Sequence, residues 1–522
     1  MPTYNTPLNT RRAVVLAKIE STYNVDPVPV ATTDAILVSA PAFSVDPTVL
    51  IRDFVRDDMS PMGRRVGRML AKMSFGVEVR SNGLTNSGNT ANASRTGRML
   101  RACGFSENGI TGTGTVGAAR NGSANTVNPA WVAGGASTKK GPIKYRVTCV
   151  LAGASAAAKV RVTTPDFEEF DTGVILASET ISFSNIVGST LVGTWNLTNP
   201  LAPVLTLSGT VAVGDKFRIV FCGRIFDFTS AATTLTALST LIKTAIELIG
   251  SVTDTVSGAS SEVNTFAYSG ALNGTVLTSG ATAFALGGSG ATWTPTWAGA
   301  LVLGDYWEVI VYPTCIAYRP VSTSQESITL YMYFDGLLHK MTGSFGSVSM
   351  EANAGEFGRF TFTFTGQYIA PVDSAVPQTA AYEAALIQPP VFELAQLRVD
   401  DRAVIVNNLR FDENNTVAPR SSANHSDGYY GVRITGRDPQ GGVDPEAELV
   451  RDYDWWSKFK ASTQVALKAR IGQTDGNVIW LNALGVQYSG MSYGDRNGIR
   501  VFAAGVGFAR IDGDDEIEIL FA

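Results

Sequence analysis

The most constraining stretch of the chain is Phe360-Thr361-Phe362-Thr363-Phe364-Thr365-Gly366, where a large apolar residue alternates with Thr without a break. A strict period of two puts the three phenylalanines on one face of a β-strand and the three threonines on the other. Such a strand needs one buried face and one wetted face. Upstream, the run Ile328 to Tyr333 leads into Asp335-Gly336, a dipeptide that reaches the positive φ angles of a tight hairpin turn. Ser327 to Gly366 therefore reads as paired antiparallel strands with Phe360, Phe362 and Phe364 in a core.

The same design returns 139 residues later: Gly346 falls on Gly485, Gly355 on Gly494, Glu356 on Asp495, and Phe360 and Phe362 on Ile499 and Val501. Asp335-Gly336 has a counterpart in Asp475-Gly476, and Phe75 to Arg80 sets beside Tyr430 to Thr435 without a gap. Each of these last strands is followed by a helix-like segment. The order of strand, helix, hairpin, Gly-acidic corner and strand thus occurs twice, which predicts two copies of one unit.

The 522 residues allow two to four domains, and 52 Gly with only 17% charged residues point to a turn-rich β protein. The formal charge of −5 offers no electrostatic footprint for tight wrapping of nucleic acid. Cys103, Cys149, Cys222 and Cys315 are widely spaced without metal-binding intervals and read as buried thiols of a protein made in a reducing cytoplasm. No cleavable leader is visible, and the most apolar helix candidate, Thr233 to Ile249, carries Lys243 and Glu247 and is too short to span a bilayer, so a soluble protein is expected.

In chain order, residues 1 to 60 read as an extended arm broken by Pro27, Pro29, Pro41 and Pro47. Met73 to Arg80 is the first strand of copy one. A Gly/Asn/Ser loop from Gly83 to Asn92 follows, then a helix from Arg95 to Cys103, capped by Ser94 and ended by Gly104. Asn108 to Lys140 reads as a flexible linker. Its Gly112-Thr113-Gly114-Thr115-Val116-Gly117 has the form GxGxxG but lacks the preceding strand and following helix of a dinucleotide site. Gly141 to Pro320 reads as a β-sandwich-like insert with one helix. Its internal echo sets Leu205 to Phe217 beside Trp293 to Trp307, each with a Gly-Asp turn. Copy two has a helix from Pro445 to Lys460, with Tyr453, Trp456 and Phe459 on its core face, and no insert.

Catalytic constellations are scarce. His339 reads as a structural strand residue and His425 as a loop residue, with no nucleophile nominated beside either. Asp512-Gly513-Asp514-Asp515-Glu516 reads as a solvated acidic turn, with calcium as the alternative. Nothing nominates a cofactor or metal, and no enzymatic activity is expected.

Several of these segments carry a family resemblance: Ala17 to Tyr23, Gly97 to Phe105, Glu326 to Tyr331 with Asp335 to Lys340, Gly428 to Gly436, Asp444-Pro445-Glu446 and Ser492 to Ile499. Over roughly residues 10 to 105 and 325 to 510 the chain resembles the tail tube proteins of long-tailed bacteriophages. The resemblance implies a mainly β fold of two tandem tail-tube-type units, each a β-sandwich or half-barrel with a packed helix. The expected boundaries are 1–106 plus 325–388 for the first unit, 107–324 for an inserted outward-facing domain, and 389–522 for the second. It further implies a structural virion protein, made in the host cytoplasm, whose rings stack into a tube that conducts DNA during ejection. Many relatives use six single-unit chains per ring; a duplicated chain implies trimers with pseudo-sixfold symmetry. Implied partners are further copies of the chain, the tape measure protein and the terminator and tip proteins, with DNA passing through without sequence-specific binding. A trimeric virion fibre or adhesin and a carbohydrate-active enzyme are the alternatives. Strand alternation nominates Glu78, Arg80, Thr361, Thr363, Thr365, Arg433 and Thr435 as lumen-facing, opposite a core of Phe75, Val77, Val79, Phe360, Phe362, Phe364, Val432 and Ile434.

Overall fold

The computed structural model describes residues 8–9, 11–81, 94–110, 115–116, 119–122, 124–135, 142–163, 182–187, 190–196, 202–221, 224–231, 233–247, 252–257, 262–268, 275–280, 283–286, 290–382, 388–400, 402–425, 428–474 and 476–522. The fold is mainly β. Two compact units divide the chain: residues Met1–Thr111 with Thr314–Ala522, and Gly112–Pro313.

In chain order the first unit has β1 (Ala13–Ile19), β2 (Ala35–Ile36), β3 (Ser39–Leu50), β4 (Arg65–Glu78), a helix (Arg95–Ala102) and β5 (Phe105–Ile110). Beyond the second unit come β6 (Cys315–Pro320), β7 (Ile328–Phe334), β8 (Leu337–Asn353), β9 (Arg359–Asp373), β10 (Arg398–Val399), β11 (Arg402–Ala403) and β12 (Asn408–Asp412). The chain finishes with β13 (Asn415–Ser421), β14 (Tyr429–Arg437), β15 (Gln440–Val443), a short helix (Trp455–Lys460), β16 (Val465–Ile471), β17 (Ile479–Arg496), β18 (Ile499–Phe508) and β19 (Glu518–Phe521). All but β13 and β14 belong to one 17-stranded sheet system.

The pairings repeat strand for strand. In the first half the order is β2, β1, β7, β8, β9, β4, β3, each antiparallel to the next. In the second half it is β11, β10, β16, β17, β18, β15, β12. Two ladders join the halves: β8 pairs with β12, with Ser349 opposite Asp412 and Met350 opposite Phe411, and β6, the partner of β5, pairs with β19, itself paired with β17. Both halves share a single core, in which Phe75, Phe360, Phe362 and Phe364 from one join Leu467, Leu481 and Phe502 from the other.

The ladders also correct the sequence register. Phe364 stands between Gly346 and Met73, and its counterpart Val506 stands between Tyr488 and Gly441. The two copies are therefore offset by 142 residues here, not 139, and Phe360 and Phe362 correspond to Phe502 and Ala504. The gapless match was keyed on Gly-acidic dipeptides, but Gly355 sits in a turn at φ +79 whereas Gly494 lies inside β17, opposite Val501. The turn of copy two is Asn497-Gly498. Likewise Phe75, opposite Phe362, corresponds to Val443, opposite Ala504, so Phe75 to Arg80 does not match Tyr430 to Thr435. Asp475 lies outside the described residues, as does the loop Gly83 to Asn92.

Local signals fared better where they were self-contained. Asp335 and Gly336 both adopt positive φ, +40 and +114, between β7 and β8. Ser94 caps its helix by accepting from the Gly97 N–H at 3.2 Å, and Gly104 closes it at φ +85. The copy-two helix is only Trp455–Lys460, because Asp454 caps it through the Ser457 N–H at 2.9 Å. Glu446 and Glu448 therefore precede the helix: Glu446 bridges to Val501. That start also rotates the helix, so Trp455 is buried and Trp456 is 36% exposed.

Among its described residues the second unit has two cores. One gathers Leu205, Phe217, Phe221 and Phe266 around the helix Leu235–Glu247 through Leu238, Ile242 and Ile246. The other gathers Tyr145, Val147, Trp293 and Trp307. The two Gly-Asp turns match: Asp215 and Asp305 accept from the backbone of Ala212 (2.8 Å) and Val302 (3.2 Å). The expected linker is partly strand. Ala130–Gly135 pairs with Ala291–Thr296, and Trp131 stacks on Trp293 at 4.1 Å. Of the GxGxxG stretch, Thr115–Val116 pairs with Val311 and Tyr312 and its glycines lie outside the described residues.

The stem of the insert belongs to the first unit, since β5 pairs with β6 and Ile110 stands opposite Cys315. Replacing residues 112–313 by a short Gly/Ser turn should therefore leave the first unit folded. A β-type far-UV spectrum with one cooperative thermal transition checks this, and an unfolded product overturns it.

Candidate assembly surface

The Thr face is built by four neighbouring strands of the first copy. On β9, Phe360, Phe362 and Phe364 are fully buried, while Thr361 and Thr363 are exposed and Thr365 is half-buried. Each buried Phe side chain contributes roughly 1.5–3 kcal/mol, so the register is fixed by the apolar side. Phe75 stacks the same ladder, with its ring 6.2 Å from Phe362 and 6.0 Å from Phe364. On the opposite side Thr363 lies between Ser347 and Ser74, and Thr361 between Ser349 and Gly76.

Past the Thr rows runs a charged row in which signs alternate from strand to strand. Glu78 stands opposite Arg359, Arg359 opposite Glu351, and Glu351 opposite Arg410. Opposite charges on facing strands neutralise one another locally. In copy two the positions of Thr361, Thr363 and Thr365 are Ala503, Gly505 and Gly507, so that part of the face carries no side chain larger than a methyl group.

Of the remaining nominated residues Glu78 stays on this face, whereas Arg80, Arg433 and Thr435 leave it. Glu78 is half-buried at the end of β4, and Arg80, beyond that end, is buried with a guanidinium nitrogen 3.7 Å from Glu78. Arg433 and Thr435 are exposed on β14, which pairs only with β13 among the described strands. Val432 and Ile434 face inward, as expected, but against Tyr23, Leu70 and Phe345. The Tyr23 hydroxyl accepts from the Val432 N–H at 2.8 Å, and burial pushes its pKa up. Sequence reasoning missed this packed hairpin because its partners are far away in the chain, Tyr23 and Leu70 by hundreds of residues.

Two strand edges of the face are open among the described residues. β3 pairs only with β4, and β17 beyond Val486 pairs only with β18. Between them lies the finished joint of β8 and β12. The Glu413 N–H extends that joint by donating to the Val348 carbonyl at 2.9 Å. Its side chain is fully buried, and among the described residues neither carboxylate oxygen has a hydrogen-bond partner.

The two histidines are packing residues: His339 sits 4.2 Å from the Phe43 ring and 5.9 Å from Phe334, where burial lowers its pKa, and His425 lies edge-on to Tyr430. In the acidic turn, Asp515 accepts from the Ile511, Asp512 and Gly513 N–H groups, and Asp514 pairs with Arg437 and Ser322.

Burial pushes the Glu413 carboxyl up to about 8, against the attraction of Arg437 and with the repulsion of Glu516 and Asp412. The folded chain thus holds a proton that the unfolded chain releases near its ordinary value of 4.5. Stability from this group is complete below that value and falls as pH rises toward about 8, by up to about 1.4 kcal/mol per unit. Glu413→Gln should therefore gain in melting temperature over the parent as pH is raised across that window. A difference that stays constant with pH overturns the assignment.

A family model described as phage tail tube protein matches residues 229–517, more than half of the chain. None of the curated proteins matches. A mainly β fold, a duplicated sheet with one small polar face and the family match converge: this chain belongs to the phage tail tube protein family, as a structural component of the virion tail.

Proposed function

We propose that three copies of this chain close into a ring, that rings stack into the tail tube, and that the Thr face lines the bore that conducts DNA. The observation that carries this reading is the eight-stranded run β3, β4, β9, β8, β12, β15, β18, β17, open at both ends. Open edges invite pairing, and a closed ring removes them. Two units per chain supply a six-unit ring from three chains. With strands about 4.8 Å apart and tilted about 40°, a barrel of three such runs is roughly 45–50 Å across at the backbone, ample for a duplex.

Thr361, Thr363, Thr365 and Glu78 then face the lumen with Ala503, Gly505 and Gly507. Neutral small groups and a self-neutralised charged row give phosphates little to hold, which suits passage without sequence reading. Arg433 and Thr435 lie off this face, and Arg80 is buried. The tape measure, terminator and tip proteins are the expected partners of the growing tube in the host cytoplasm. Removal of the insert should narrow the tube without abolishing it, as expected of a domain carried on a surface loop.

Electron microscopy of the purified full chain should show tubes of constant width whose rings average with threefold symmetry. Six full chains per ring overturn the stoichiometry, and absence of any ring or tube overturns the reading. Thr361→Lys with Thr363→Lys should leave tubes intact and slow genome ejection, more so at low salt. Phe362→Lys should prevent folding, because it buries an unpaired charge. Folded Phe362→Lys tubes beside unfolded Thr variants would show that inside and outside are exchanged.

A further inference from the structure

We infer that the contact between the two copies inside one chain is repeated between chains, with β17 of one chain pairing with β3 of the next in a defined register and the tip of the β3–β4 hairpin lying over the neighbour's second copy. This rests on the ring reading and specifies its interface.

The equivalences come from the ladders. Phe43 stands opposite Met73 and Ser44 opposite Lys72, while Phe411 stands opposite Gly441 and Asp412 opposite Gln440. Phe43 and Ser44 are therefore the counterparts of Phe411 and Asp412. On the other side of the joint, Ser349 faces Thr361 and Met350 faces Phe360, as Ser492 faces Ala503 and Tyr493 faces Phe502. Carrying the internal joint to the open edges puts Ser492 opposite Ser44 of the next chain and Tyr493 opposite its Phe43.

Burial supports that register independently. At the internal joint Met350 and Phe411 are 2% and 1% exposed. Their counterparts are uncovered: Tyr493 is 55% exposed and Phe43 half-buried. Trp456, 36% exposed, adds its ring 5.7 Å from Tyr493. The open edge of β17 thus carries aromatic surface where the filled edge of β8 carries core.

The hairpins tell the same story. The β3–β4 ladder has a register shift between Pro47 and Val49, and the β13–β14 ladder one between Thr416 and Val417. Past these shifts Val49 stands opposite Val66, as Val417 stands opposite Ile434. In copy two this hairpin lies on copy one, with Val432 and Ile434 buried against Phe345 and Leu70. In copy one Val49 and Val66 are about half exposed, and Phe54, Val55 and Met59 at the tip are exposed still further. These exposed apolar side chains, set among Arg52, Asp53, Arg56, Asp57 and Asp58, make the tip an amphipathic surface suited to a protein partner. A contact repeated head to tail, with different patches on its two sides, closes into a ring when its rotation divides a full turn.

The test is a cysteine pair in the full chain. Bonding of the Glu413 N–H to the Val348 carbonyl makes Ser349 and Asp412 a non-hydrogen-bonded pair. Facing Cα atoms in such a pair are about 4.5 Å apart, within disulfide reach. Assembled Ser44→Cys/Ser492→Cys protein, oxidised with copper–phenanthroline, should give intermolecular dimers and trimers on a non-reducing gel, with three chains as the largest species. With Cys222, which lies outside the described residues, replaced by Ser in every variant, the buried native thiols Cys103, Cys149 and Cys315 should leave each single variant uncrosslinked. The off-register pair Asp46→Cys/Ser492→Cys should crosslink roughly tenfold less. Equal yields from both pairs, or no crosslink in protein that forms rings under the microscope, overturn the register while the ring reading stands. A parent that forms no rings overturns the reading itself. Tyr493→Asp serves where the cysteine pair does not assemble. It should leave a folded monomer with the parent's far-UV spectrum and no rings, and rings formed as by the parent overturn the inference.

Discussion

The continuous polar-faced sheet of the larger unit depends on the backbone ladder between β8 and β12, the five facing pairs from Ser349–Asp412 to Asn353–Asn408. Each copy is an incomplete object, a set of strands whose last member presents unpaired N–H and C=O groups. The second copy completes the first by supplying β12, and its hairpin then folds back over β8 and β9. Asn415 adds side-chain bonds to the Gly346 carbonyl at 3.1 Å and the Cys103 carbonyl at 2.6 Å, tying the joint to the first copy's helix end. Completion moves the unfinished edge from the first copy to the second and does not remove it.

The sheet can expose a whole polar face because the other face is so heavily apolar. Phe360, Phe362 and Phe364 stack along one strand at 6.0 Å intervals and meet Phe75 across the ladder. The helix Arg95–Ala102 closes the core through Met99 and Leu100, and Gly97 allows its approach, since a Cβ there would overlap the Tyr318 hydroxyl. With packing settled on that side, the opposite face is free to use Thr, Ser, Ala and Gly.

What was legible in the sequence follows from range. The Phe/Thr strand, the Asp335-Gly336 turn and the Ser94 cap are fixed by residues within a few positions of one another, and each was readable. The duplication was readable as an order of elements. Its register was not, because Gly-acidic dipeptides do different jobs in the two copies, a turn at Gly355 and a strand at Gly494. Arg433 and Thr435 have the right alternation, but alternation says which side of a strand is wet and not which sheet the strand joins. Trp131 in a Gly-rich stretch was readable only through its long-range partner Trp293.

The two copies have diverged where an internal and an external joint would place different demands. Beside the internal joint stands Glu413, buried with its carboxyl oxygens unpaired among the described residues. Its counterpart at the open edge of β3 is Val45, next to Ser44 as Glu413 is next to Asp412. Covalent linkage holds the internal partners at high effective concentration, so that contact tolerates a buried carboxyl that costs a few kcal/mol. A contact between separate chains has no such tether and gains from an apolar residue at the same place. If chains join at the open edges as proposed, the half-exposed Val45 and Tyr493 there, against buried Glu413 and Met350 at the closed joint, fit that difference in linkage.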